Sequence, residues 1–427
     1  MAQRLKQPRS PRPVSPPPRS IPRRYAPGVL AGTVALGLLL TALSGPAQAT
    51  WRVPPNMPVA GPTVLSPVRP LVVRETPMRS VGFNDEVRAI AYSGSTVYVG
   101  GVFTRALSGG GSTTRAYVAA VDASSGQLRS WHPVLNGAVT AIAVSGGSVY
   151  LAGDFTRVNG QSRQHLAKVS GSSGALDGGF RHSISSAPKG LAAGNGRLYA
   201  VGSFGSVDGH SWPDAASFSL SSDAQDRNFR PRIEGGAVES VALTSSRVYL
   251  GGQFHRVNGS SAGQRLAAVT PSTGATVGSF AGGAQYAVHS VAVGPGGVYA
   301  AIGGPGGRLA FYPSGGGTFW SVTADGDVHN VGVLGNTVYA GGHYDHVCST
   351  PRVANRNGDC LDGKMVRRKV FATDLSGHLL GWNPSADSPH GVLGLGVSDG
   401  RRALAVGGAF TRIGGISQPR FAQFTTS

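Results

Sequence analysis

Histidine, cysteine and clustered acids are the side chains that do most acid–base and metal chemistry, and this chain has only 11 His and 2 Cys. Cys348 and Cys360 fall in one stretch, "HYDHVCSTPRVANRNGDC", with His343 and His346 just ahead of them. Two thiolates and an H-x-x-H pair have the composition of a tetrahedral zinc set. On a strand, however, positions i and i+3 point to opposite faces, so the two histidines converge poorly. The expected use of the cysteines is a disulfide that closes a loop of about a dozen residues and stabilises by roughly 3 kcal/mol. No metal and no cofactor are expected. "GSSAG" at 259–263 matches G-x-S-x-G and would make Ser261 a nucleophile, but that motif needs a strand-to-helix elbow. Here strand-like segments lie on both sides of it. "DGDVHN" offers Asp325 and Asp327 without the rest of a calcium loop, and reads as a turn. No catalytic residue is assigned.

A second set is spread over most of the chain. Arg88, Thr140, Lys189 or Gly190, Glu239, His289, His329 and Leu393 each take the second place in a short, mostly apolar stretch such as "VRAIAY", "VTAIAV", "VESVAL" or "VHSVAV". If these stretches are neighbouring strands running the same way, their second residues meet at one opening. Arg88, Lys189, Glu239, His289 and His329 then form a candidate ring for a small ligand or glycan. Polar residues at a wet opening also serve plain solvation, and both readings stay open. A third set is the basic loop Arg352, Arg356, Lys364, Arg367 and Arg368, which the disulfide is expected to pin. Long loops on a rigid frame often carry binding.

The elements that must position these residues are repeats. "VYLAGDFTRVNG" (149–160) returns as "VYLGGQFHRVNG" (248–259) and "LAVGGAFTRIGG" (404–415). Tyr98, Tyr150, Tyr199, Tyr249, Tyr299 and Tyr339 mark successive units at spacings of 52, 49, 50, 50 and 40, with Leu404 in the seventh place. A period of 40–50 residues points to a propeller blade or a solenoid repeat. Each unit holds about four strand signals and no sustained helical periodicity, as a blade requires. A closing aromatic gives a second count: Phe83, Trp131, Phe180, Phe229, Phe280, Trp320 and Trp382. The last unit ends at "RFAQF" with no such aromatic, so the segment around Phe83 is expected to supply its fourth strand. The predicted fold is therefore all-β: a seven-bladed β-propeller with four antiparallel strands per blade, closed by the N-terminal strand. Closure of this kind leaves no bare sheet edge.

"GDFTRVNGQSRQHLAKVSGSSGALDGGF" and "GQFHRVNGSSAGQRLAAVTPSTGATVGSF" resemble the delta-60 repeat, a β-propeller repeat of secreted bacterial proteins. The resemblance spans roughly residues 83–424. Unit five departs from it ("AAIGGPGGRLAFY") and unit six carries an insertion. The resemblance implies a propeller and implies no enzyme activity.

The N-terminus differs in kind. Residues 1–24 are basic and Pro-rich, "YAPGVLAGTVALGLLLTALSG" is apolar, and "AQA" follows at 47–49. This is the pattern of a secretory signal peptide over 1–49, with an uncleaved anchor as the alternative. A Pro-rich leader or linker over 50–80 precedes the repeats of 81–427. The chain carries a net charge of +18, which falls to about +11 without residues 1–49, and the remaining charges are spread and not run together. Such a balance favours anionic surroundings or plain solubility. Expected partners are an anionic glycan, a cell-wall polymer or a surface protein. Nucleic acid is not expected, nor is a membrane span after signal cleavage. The expectation is a secreted or cell-surface, monomeric, non-catalytic binding or scaffold module. The alternative is an extracellular hydrolase or lyase with its active site at the channel mouth.

Overall fold

The computed structural model describes residues 70–354 and 358–426. The signal-like residues 1–49, most of the Pro-rich stretch and Arg356 lie outside the described residues. Among those described, every regular element is a β-strand and none is a helix.

Seven antiparallel sheets repeat one order: a first strand pairs with a second across a tight turn, and the second pairs with a third. In the first sheet these are Val87–Ser93, Thr96–Gly101 and Val118–Asp122. The other first strands are Val139–Ser145, Gly190–Gly194, Val238–Leu243, Val288–Gly294, Val328–Leu334 and Val392–Ser398. Each packs beside the first strand of the next sheet, and Val392–Ser398 packs beside Val87–Ser93.

The second strands are the buried layer, because both faces of each meet other sheets. Val248–Gly252 ("VYLGG") is buried at every position. Its tyrosine stacks edge-on against the aromatic that ends the unit: Tyr249 to Phe280 at 5.2 Å, Tyr98 to Trp131 at 4.9 Å, Tyr339 to Trp382 at 5.1 Å. The two glycines have separate reasons. A Cβ on Gly100 would sit 2.5 Å from the Val139 side chain of the next sheet, and one on Gly153 would run into the Ala138 carbonyl. The "VNG" and "VDG" turns behave as their residues dictate. Asn159 and Gly160 take φ of 49° and 79°, the paired left-handed conformation of a tight hairpin.

A third feature recurs without a recurring residue. Just before the third strand, Tyr117, His165, Asp214, Arg265, Lys369 and Arg420 all have φ between 63° and 69°. A non-glycine residue pays about 1–3 kcal/mol for such a conformation unless its surroundings fix it. Here two backbone bonds do so. The Tyr117 N–H donates to the Phe103 carbonyl, and the Tyr117 carbonyl accepts from Gly101 N–H; Lys369 repeats this with Tyr344 and Gly342.

The structure departs from the sequence reading in two places. Among the described residues only one sheet has a full fourth strand, Trp320–Thr323. In five others the fourth segment makes a single bridge, such as Val121 to Leu128, before the chain turns its aromatic inward and leaves. Phe83 is also not a closing aromatic. It pairs with Ala106, as Leu135 bridges Val158 and Ile184 bridges Val207, so it belongs to the crossover into the next sheet. The seventh unit therefore lacks both members of the aromatic pair, with Leu404 where the tyrosine would be.

The segment from residue 70 takes the outer place on the last sheet. Arg74 and Met78 N–H groups donate to the Thr425 and Gln423 carbonyls, and Met78 bridges Gln423. The indoles agree. Trp131 donates to the Ser170 carbonyl in the following sheet, and Trp382 donates to the carbonyl of Arg74, at the other end of the described chain.

Units five and six depart from the pattern together. Unit five has no hairpin after its second strand, which ends at Ile302 and is followed by Gly303–Gly307 and the strand Arg308–Pro313. The insertion of unit six covers that ground. Val353 lies 2.8 Å from where a Gly306 Cβ would be, and Gly358 abuts Gly306 and Pro305.

Candidate functional site

The starts of the seven first strands line one cavity of about 470 Å³ that includes Arg88, Lys189, Glu239, His289 and His329. Thr140 and Leu393 complete the rim. Lys189, not Gly190, is the third sheet's rim residue, since Gly190 already pairs with Val201 within the sheet. A backbone device aims six of the seven side chains, all but Lys189, whose sheet has no register slip. The pairing register slips between Val87 and Ala89, Val139 and Ala141, Val238 and Ser240, Val288 and Ser290, Val328 and Asn330, and Val392 and Gly394. The residue skipped is each time the rim residue. A bulge leaves that residue out of the ladder and re-aims its side chain. Below the rim, Ile90, Ile142, Leu191, Val241, Val291, Val331 and Leu395 form an aliphatic collar in the same cavity.

Glu239 organises one half of the rim. Its Oε2 lies 2.7 Å from His289 Nδ1, and its Oε1 accepts from Gln253 at 2.7 Å and from Lys189 at 3.4 Å. Burial opposes its ionisation, but the His289 bond and the Lys189 charge outweigh that and bring its pKa down to about 2. The His289 ring meets His329 edge-on at 5.7 Å. His329 is pushed below the usual imidazole range, first by burial and then by His289. Its Nδ1 is buried without a partner. On the other half, Arg88 forks onto Glu86 through Nε and Nη2 at 3.0 and 2.8 Å, and His390 Nδ1 lies 2.9 Å from Glu86. Thr140 donates to the Pro188 carbonyl at 2.8 Å, which ties down the residue before Lys189. These partners, Glu86, Gln253 and His390, carry no repeat signal in the sequence.

Cys348 and Cys360 stand at disulfide distance, 1.97 Å between sulfurs. His346 pairs with Asp325 at 2.7 Å, and Asp325 also accepts two backbone N–H groups, so neither is set for a metal. No metal-holding group of three or more His, Cys, Asp or Glu occurs among the described residues. Ser261 lies between two strands, with no helix to form an elbow.

One cation of the basic loop is paired with a carboxylate. Arg352 is bound by Asp362 at 2.7 Å, and Arg367 donates to the Val366 and Leu380 carbonyls. Lys364 and Arg368 are exposed. None of the loop's described residues lines the cavity, so among the described residues the two candidate sets do not merge.

No family model and no curated protein matches the chain. Among solved structures it is similar to a computationally designed protein, Ika8, with 14% identity and a TM-score of 0.48 over 83% of this chain and 100% of that one. A likeness at that level carries no weight for fold or function.

Proposed function

We propose that the chain is a closed seven-bladed β-propeller that acts as an exported, non-catalytic binding module and takes the end of a glycan at the cavity of its first strands. The wheel is supported by the neighbouring of the first and last inner strands and by the outer place of residues 70–78 on the last sheet. Export is supported by the cysteine pair, since disulfides persist in oxidising compartments. No helix among the described residues is long and apolar enough to cross a membrane.

The observation that carries the reading is the convergence of Arg88, Lys189, Glu239, His289 and His329, from five separate units, on one cavity. Bulges that aim side chains inward are typical of working sites. The test is an oligosaccharide array followed by titration of any ligand found. The double variant His289→Ala, His329→Ala should weaken binding by about tenfold or more. Unchanged affinity removes the site.

One observation favours a second reading, an extracellular hydrolase or lyase. Glu239 holds His289 at 2.7 Å, the arrangement that orients a general base. New reducing ends or unsaturated products from a bound saccharide would decide for it.

A further inference from the structure

We propose that the rim recognises an uncharged, hydroxyl-rich saccharide and not an acidic one, an inference that rests on reading the cavity as the ligand site. The chain's high net charge points the other way, toward acidic polymers, but the rim does not share that excess. Arg88 is matched by Glu86 at 2.8 Å and Lys189 by Glu239 at 3.4 Å. An incoming carboxylate or phosphate would have to compete with a carboxylate already in place at each cation.

What the rim does offer is alternation. Going round from the first sheet to the sixth, it presents a guanidinium, a hydroxyl, an ammonium, a carboxylate and two imidazoles. Neighbouring donors and acceptors on a rigid frame suit vicinal hydroxyls, each of which both gives and accepts a hydrogen bond. Hydrogen bonds to charged groups are the stronger kind, and they stay net-neutral when both charges are already paired. The aliphatic collar beneath supplies an apolar floor for the C–H face of a sugar ring. Polar edge and apolar face are the two sides of a neutral saccharide.

Salt separates this from the acidic alternative, because screening weakens charge-driven binding and leaves neutral hydrogen bonding nearly untouched. The full chain is titrated with cellohexaose, chitohexaose and maltohexaose as neutral probes. Hexagalacturonate and a glycerol-phosphate hexamer are the acidic ones. Each titration is run at about 0.05 and about 0.5 M sodium chloride. The expected result is binding of a neutral probe with affinity changed less than about twofold by salt, and weakened about tenfold by Glu239→Gln and by the exposed-site variant Lys189→Met. Binding of acidic probes alone, lost in high salt and sensitive to Lys189→Met, overturns the neutral class while keeping the cavity as the site. Binding of any probe that neither rim variant changes overturns the site itself.

Discussion

Tyr339→Phe removes one oxygen atom from the buried layer, and that oxygen serves the N-terminal segment. Its hydroxyl accepts the Val73 N–H at 2.9 Å and donates to the Leu71 carbonyl at 3.2 Å. Both Tyr339 and Val73 are buried, so no water replaces the lost partner. Leaving the Val73 N–H unsatisfied costs about 1–3 kcal/mol, and the lost bond to Leu71 adds roughly 1. The expected total is about 2–4 kcal/mol. Tyr98→Phe is the control, because its hydroxyl makes a single bond, to the Gly171 carbonyl at 2.7 Å, and should cost about 1 kcal/mol. The assay is urea unfolding followed by tryptophan fluorescence, with Trp382 beside Tyr339 as reporter. Repeating it in a version that starts at Pro77 completes a double-mutant cycle. There Tyr339→Phe should cost almost nothing. Equal costs with and without residues 1–76, or a Tyr339 cost no larger than that of Tyr98, would show that the N-terminal segment does not seal the last sheet.

Two further outcomes follow from the same packing. Gly407→Ala places a methyl group against the Val87 side chain, where the last sheet meets the first. It should destabilise by about 1–3 kcal/mol in urea unfolding, whereas Gly178→Ala, with open space around it, should stay within about 0.5. Asp214 has its pKa pushed up to about 6 by burial. The fold favours the neutral acid, so its contribution is complete below about pH 4 and is lost as the pH rises through about 6. Asp214→Asn, which tolerates the same left-handed backbone, should therefore stabilise by about 1–2 kcal/mol at pH 7.5, after allowance for its partial exposure, and by almost nothing at pH 3.5. Equal gains at both pH values would assign the effect to the backbone.

What the sequence made legible was whatever a side chain does by type. Tyrosines at about 50-residue spacing, paired glycines and "VNG" turns placed the buried strands and hairpins, and the residues singled out near the start of each first strand line a common cavity, the third unit's being Lys189, just before its strand. Phe83 was misplaced because an aromatic at a crossover and an aromatic at a strand end look alike in one dimension; only its pairing with Ala106 separates them. The left-handed residue before each third strand left no mark, since Tyr117, His165, Asp214 and Arg265 share a conformation and no chemistry. The bulges that turn Arg88 or Glu239 inward are backbone events and equally silent. Charge was the least readable property. Arg88, Lys189 and Arg352 count as cations in the sequence, yet each has a carboxylate within 3.4 Å.

The loop that folds from unit six over Gly306 has a consequence for how this chain can be altered. Five- and six-unit fragments, shuffled repeats or grafts from related chains treat each unit as interchangeable. Units five and six are not. One lacks the hairpin and the other carries a cystine-tied insertion that lies on Pro305 and Gly306, so each is incomplete in the other's absence. An exchange that moves either without its neighbour would uncover Gly306 or leave Val353 and Gly358 without a seat. The smallest exchangeable module here is the pair, and any rebuilding of the chain has to cut on either side of it.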